Sequence, residues 1–202
     1  MRIVFGGSFD PVHRGHLAMA DAAQEHCQPE EILWVPSRHA PHKPDEPPAG
    51  GDARLAFLET VVGPRDSESV CTLELHREGL SFTVDTLRQL EELHPESSLA
   101  FLLGGDSLSH LATWRDLEEL FTRVEFLFVP RTDWGPERLD PFLASLDAHP
   151  RSLFRARFLP MGIVDCSSTE IRQALDQGHI PESVPEPVAA LIQSGQHYGF
   201  SA

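Results

Sequence analysis

Two histidines three residues apart, His13 and His16, follow a glycine pair, Gly6-Gly7, and the run Ser8-Phe9-Asp10-Pro11. Residues at that spacing share a face where a helix begins, so two imidazoles can address one anion. Gly6 and Gly7 let a ligand approach the main chain closely. A helix start adds unpaired N–H groups and the positive end of the helix dipole. Gly15 is read as leaving space for a nucleotide to lie against that helix. Gly6 to His16, with Ser8 and Phe9 in its turn, is therefore expected to hold phosphate. It is neither a P-loop nor a dinucleotide fingerprint, because G-K-[ST] and G-x-G-x-x-G are both absent. His13 and His16 alone could equally be surface histidines behind a loop; the glycine pair tips the reading. No resident metal is expected: structural zinc wants four ligands and no cysteine is near. A metal-binding module would have to recruit His39 and His42 as well.

A second anion site is expected near the C-terminus. Ser167, Ser168 and Thr169 offer three hydroxyls at a helix start, and Arg172 supplies a planar fork for phosphate oxygens. The same segment reads equally well as a capping box from Ser167 to Glu170. Further candidates lie between the two. Lys43 stands in the loop Ala40-Pro41-His42-Lys43, Asp106 follows Gly104-Gly105, and Arg131 stands just past an apolar run. Ser81 and Thr83 read as helix-capping residues, Asp106 as a strand-end cap, and Trp114 as a core side chain.

Short apolar runs alternate with helical patterns in the elements that must carry these residues. Strands are expected at Ile3 to Phe5, Ile32 to Val35, Val70 to Leu75, Leu99 to Leu103 and Val124 to Val129, with another near Arg157 to Leu159. Helices are expected at His16 to Cys27, Asp52 to Val61, Phe82 to Leu93, Glu170 to Asp176 and Pro187 to Gln193. In the third of these, Val84, Leu87, Leu90 and Leu93 are placed inward; in the second, Leu55, Leu58 and Val62 share a face. Such alternation gives an α/β fold with a doubly wound, mostly parallel sheet. The reading is a single domain over 1–202, with a C-terminal helical portion from about 167.

Gly6 to His16 resembles the signature of the H-x-G-H nucleotidyltransferase superfamily, in the version similar to bacterial nicotinate-nucleotide adenylyltransferase. Three later segments resemble the same family: Ala40 to Lys43, Glu78 to Leu87, where Leu80 and Phe82 replace Pro and Tyr, and Cys166 to Arg172, where Cys166 replaces Ile. The resemblance implies a Rossmann-like nucleotidyltransferase fold and adenylyl transfer from ATP to nicotinate mononucleotide. It implies catalytic roles for His13, His16 and Arg172. It places ATP against Gly6, Gly7, Ser8, Phe9, Gly15, Gly105, Asp106, Arg131, Ser167, Ser168 and Thr169. Lys43, Thr83 and Trp114 would hold the mononucleotide, Thr83 through the nicotinate carboxylate and Trp114 by stacking on the pyridine ring. Mg²⁺ would arrive on ATP. Another phosphorylated acceptor, such as phosphopantetheine or nicotinamide mononucleotide, stays open at this point, as does a nucleotide-binding sensor without catalysis.

Composition narrows the partners. Over 202 residues the formal net charge is −15, a field that repels nucleic acid and anionic membranes. An anionic substrate then demands a locally basic site, which His13, His16, Lys43, Arg131 and Arg172 would supply. Cys27, Cys71 and Cys166 are odd in number and far apart, and the N-terminal apolar run is too short for a signal peptide. A soluble cytoplasmic protein is expected. The sequence leaves a homo-oligomer open.

Overall fold

A computed structural model describes residues 1–41, 49–164 and 166–200. Six strands, β1 (Arg2–Gly7), β2 (Glu31–Pro36), β3 (Glu68–Val70), β4 (Leu99–Gly104), β5 (Val124–Val129) and β6 (Ala156–Phe158), form one sheet in the order β3-β2-β1-β4-β5-β6. The pairs β1–β4, β4–β5 and β5–β6 are parallel. Chain order reverses between β1 and β4, the kind of switch point beside which open α/β sheets bind ligands. The fold is the expected doubly wound α/β type. Nine helices are described: α1 (Arg14–Cys27), α2 (Gly51–Val62), α3 (Thr83–Leu93), α4 (Leu108–Leu111), α5 (Leu117–Arg123), α6 (Leu139–Ser145), α7 (Ala148–Leu153), α8 (Ser168–Asp176) and α9 (Glu186–Ser194).

The chain packs as two compact units. One comprises Met1–Gly6, Met19–Ile32 and Phe82–Ile163; the other comprises Gly7–Ala18, Leu33–Ser81 and Val164–Ala202. In the first, β4 and β5 pair over their full length, from Leu99↔Val124 to Gly104↔Val129. Ala100, Leu102, Phe126, Leu127 and Phe128 are wholly buried there, the continuous apolar pattern of strands covered on both faces. Phe126, Phe128 and Phe158 form a ladder of stacked rings at 6.2 and 5.4 Å. In the second unit, α2 packs on α9, and Phe57, Leu58, Val188 and Ile192 are wholly buried.

Three expectations about elements are corrected. The strand read at Val70 to Leu75 ends at Val70; the chain then turns, with His76 N–H donating to Thr72 and Arg77 N–H to Glu74. Leu93 is 63% exposed while Val84, Leu87 and Leu90 are buried. A strict spacing of three drifts by about 60° per step on a 3.6-residue helix, so the fourth member lies about 180° from the first. On α2 the buried face is Arg54, Phe57, Leu58 and Val62, and Leu55 is only half-buried. No helix among the described residues is long and apolar enough to cross a membrane.

Candidate active site

From Gly7 onward the N-terminal turn lies in the second unit. Phe9 takes a left-handed backbone conformation, φ 47°, and its ring is completely buried, 5.3 Å from Trp34 and edge-on to His16 at 5.0 Å. A Cβ on Gly7 would come 3.1 Å from that ring, so this glycine clears Phe9. His13 immediately precedes α1, and its carbonyl accepts from the N–H groups of His16 and Leu17 at 2.9 and 3.3 Å. The two imidazoles stack, with centroids 3.7 Å apart and planes 26° from parallel. The His13 backbone N–H donates to His16 Nδ1 at 3.3 Å. An accepting Nδ1 puts the proton of the neutral ring on Nε2, leaving that nitrogen as a donor. A Cβ at Gly15 would meet the Cys166 Cβ and the His13 ring at 3.0 Å, so this glycine also spares the His13 ring.

The C-terminal motif is brought onto the same turn. Arg172 Nη1 donates to the Asp10 carbonyl at 2.9 Å and stands 3.8 Å from Asp10 Oδ2; Nη2 reaches Thr169 Oγ1 at 3.5 Å. Ser168 Oγ donates to the Pro11 carbonyl at 3.5 Å. Ile171 and Leu175, four apart, are the buried stripe of α8, and Thr169 is exposed on another side. Ser167 is the N-cap residue, but its side chain makes no capping bond. The capping-box reading of Ser167 and Glu170 is thereby corrected, and the α8 N-terminus keeps its N–H groups clear of a side-chain cap.

Gly105, Asp106, Trp114, Arg131 and Thr83 lie in the first unit. β4 runs into Gly104, and Gly105 opens a short 3-10 turn, Gly105–Ser107. A Cβ on Gly105 would lie 2.4 Å from the Trp134 carbonyl oxygen, and one on Gly104 would meet Asp106 Oδ1 at 2.4 Å and Arg131 Nε at 3.2 Å. Asp106 and Arg131 therefore converge on Gly104. Arg131 is half-buried, held by a tight turn in which its N–H and that of Trp134 exchange bonds at 3.0 and 2.9 Å. Trp114 is half-buried, edge-on to Phe101 at 6.0 Å and tilted on His110 at 6.4 Å. Thr83 is the first residue of α3, whose N-cap is Phe82 without a side-chain bond. Ser81 is not a cap either: in the second unit its hydroxyl accepts from the Arg38 N–H at 3.0 Å. Lys43 lies outside the described residues. Among the described residues no group of three or more His, Cys, Asp or Glu is placed to hold a metal ion.

A family model described as cytidylyltransferase-like matches residues 4–174. A probable nicotinate-nucleotide adenylyltransferase of Gloeobacter violaceus is 37% identical over 203 residues, covering 98% of this chain and 96% of its own. Its counterpart in Salinibacter ruber is 35% identical over 196 residues, covering 96% of each chain. The chain belongs to the cytidylyltransferase-like family, among the nicotinate-nucleotide adenylyltransferases. A Plasmodium falciparum nicotinic acid mononucleotide adenylyltransferase complexed with NaAD shares the fold, with a TM-score of 0.80 at 20% identity over 99% of this chain and 98% of that one.

Three residues of this adenylyltransferase escaped the sequence reading. Arg54, 1% exposed, donates to the carbonyls of Ser8, Ala49 and Ser37 at 2.8, 2.8 and 2.7 Å. Burial pulls its guanidinium below the usual arginine value, with the Asp10 charge opposing. Asp10, 3% exposed, accepts at Oδ1 from the Ala49 N–H at 3.1 Å and from the Tyr198 hydroxyl at 2.6 Å. A charged side chain on the apolar face of α2 was the available signal for Arg54. Tyr198 offered none beyond being the chain's single tyrosine.

Proposed function

We infer that the chain transfers the adenylyl group of ATP to nicotinate mononucleotide. A 5′-phosphate oxygen attacks the α-phosphorus, the bond to the β-phosphate oxygen breaks, and pyrophosphate leaves with nicotinate adenine dinucleotide (deamido-NAD) as the other product. The observation that carries this is the convergence of the His13–His16 stack, the α8 N-terminus and Arg172 on one turn. It concentrates donors for an anion on a chain whose net charge is −15.

A phosphate nucleophile is already anionic near neutral pH, so no general base is required. Catalysis rests on alignment and on stabilising charge as it develops. His13 and His16, the latter through Nε2, serve the α-phosphate. Arg172, Ser168 and Thr169, with the α8 N–H groups beyond Ser167, serve the leaving pyrophosphate. Gly6, Gly7, Ser8 and Phe9 form the turn against which ATP lies. Asp106, beside Gly105 and Arg131, accepts from the ribose hydroxyls. Lys43 supplies a phosphate cation, Thr83 bonds the nicotinate carboxylate, and the half-buried Trp114 offers a ring face to the pyridine. Mg²⁺ enters with ATP, held by phosphates and water, the environment it prefers. The three widely spaced cysteines support placing the reaction in the reducing cytoplasm.

The test is an adenylation assay with ATP and both nicotinate and nicotinamide mononucleotides, following pyrophosphate and each dinucleotide. Pyrophosphate release with deamido-NAD as the dominant product is expected. No pyrophosphate would rule out the transferase; a dominant amide product would reassign the acceptor.

A further inference from the structure

The Arg172 guanidinium stands beside a carboxylate that competes with substrate for it. Asp10 Oδ2 forms an ion pair with Arg172 Nη1 at 3.8 Å, too long for a hydrogen bond, while the Asp10 carbonyl takes the direct bond at 2.9 Å. The other carboxylate oxygen, Oδ1, is occupied twice, by the Tyr198 hydroxyl at 2.6 Å and the Ala49 N–H at 3.1 Å. A short O–H···O⁻ bond is among the stronger hydrogen bonds a protein makes. It draws the carboxylate's charge toward Oδ1 and fixes its orientation. We propose that Tyr198 is a positioning residue for the ATP half of the reaction: by holding Asp10 through Oδ1, it keeps Asp10 from closing to a direct carboxylate bond on Arg172 that would compete with phosphate. This rests on the reading of Arg172 as an ATP-phosphate ligand.

The surroundings of Tyr198 suit the task. Its ring stacks on Phe57 at 6.3 Å. The charged groups that act on the phenol are Asp10, Arg54 and Arg172. Burial first, then the Asp10 charge and hydrogen bond, push the phenol well above its ordinary range, so it stays a donor at every pH at which the enzyme would work. Arg54 donates to the carbonyls of Ser8, two residues before Asp10, and of Ala49, whose N–H donates to Asp10 Oδ1, so the carboxylate has a fixed frame in which to be turned.

Tyr198→Phe keeps the ring and deletes only the hydroxyl. Asp10 then closes on Arg172, and kcat/KM for ATP falls about tenfold, the scale of one charge-assisted hydrogen bond, while KM for the mononucleotide is unchanged. In an Arg172→Ala background the same substitution costs nothing further, because its route of action is gone. Steady-state kinetics of the parent, both single variants and the double variant decide the matter, with circular dichroism as the check on folding. A full tenfold loss persisting in the Arg172→Ala background, an equal loss toward both substrates, or parental kcat/KM for ATP in Tyr198→Phe alongside a damaged Arg172→Ala each overturns the positioning role. Parental activity of Arg172→Ala instead overturns the reading of Arg172 itself, and the Tyr198 proposal with it.

Discussion

The chemistry of the histidine pair turns on one proton. His16 Nδ1 is engaged by the His13 backbone N–H, so the proton of the neutral ring resides on Nε2 and the side chain is a donor whether or not it is charged. The buried Phe9 ring stands edge-on to His16, and the His13 ring lies flat against it. The imidazole is thus oriented before any substrate arrives, the condition under which a donor aimed at developing charge is most effective. His16→Ala is expected to lower kcat by roughly 10²–10³-fold, the range for loss of one such donor, with the far-ultraviolet dichroism unchanged. Near-parental turnover in a folded variant would remove His16 from the catalytic assignment.

At the scale of elements, the start of α1 shows two effects in opposition. Gly15 lies in the first turn of a helix, where alanine is the better helix former by about 1 kcal/mol. Against this, a Cβ at Gly15 meets the His13 ring and the Cys166 Cβ at 3.0 Å, so one of them must yield by a few tenths of an ångström. The His13 ring, stacked on His16 and 2% exposed, has little room to do so without moving the pair. Gly15→Ala is therefore expected to leave stability within about 1 kcal/mol of the parent and to lower kcat at least about tenfold, since small misplacements of aligned groups are costly. Urea titration beside turnover measurements checks this; parental kcat would show that the clash is absorbed elsewhere. The strands and the helices that follow them were legible in the sequence because their signals are local: apolar runs ended by Gly6-Gly7 or Gly104-Gly105, and periodic stripes such as Val84, Leu87 and Leu90. His13, His16, Ser168 and Arg172 were legible as a candidate anion site because their types and spacing suit an anion. Leu93 was misplaced because spacing by threes drifts around a helix. Arg54, Asp10 and Tyr198 stayed hidden because their partners are remote: Tyr198 is 188 positions from Asp10, and no local pattern records that distance. The contact between Gly15 and Cys166 was hidden for the same reason.

For the whole molecule, 31 acidic residues against 16 lysines and arginines make stability a question of which charges are held, and one group in each unit illustrates it at opposite ends of the pH scale. In the first unit Glu119 accepts from Arg88 Nε at 2.8 Å and from Arg123 Nε and Nη2 at 2.8 and 2.6 Å. The Arg88 bond first, then the Arg123 bond, bring its carboxyl down to about 2. A depressed folded value means stability that is intact above the unfolded value near 4.5 and is withdrawn as pH falls toward 2. In the second unit the Tyr198 phenol is pushed upward by burial and by Asp10. A raised folded value means stability intact below the unfolded value of 10 and withdrawn as pH rises above it, with a slope bounded by one proton, about 1.4 kcal/mol per pH unit. The unfolding free energy, measured by urea titration across pH, is therefore expected to fall on both flanks. Glu119→Gln should flatten the acid flank between about 4.5 and 2 and leave the alkaline one alone, while Tyr198→Phe should flatten the alkaline flank above 10. An alkaline flank as steep in Tyr198→Phe as in the parent would mean that the phenol ionises with equal ease in the folded and unfolded chains. The short bond to Asp10 would then not be holding its proton.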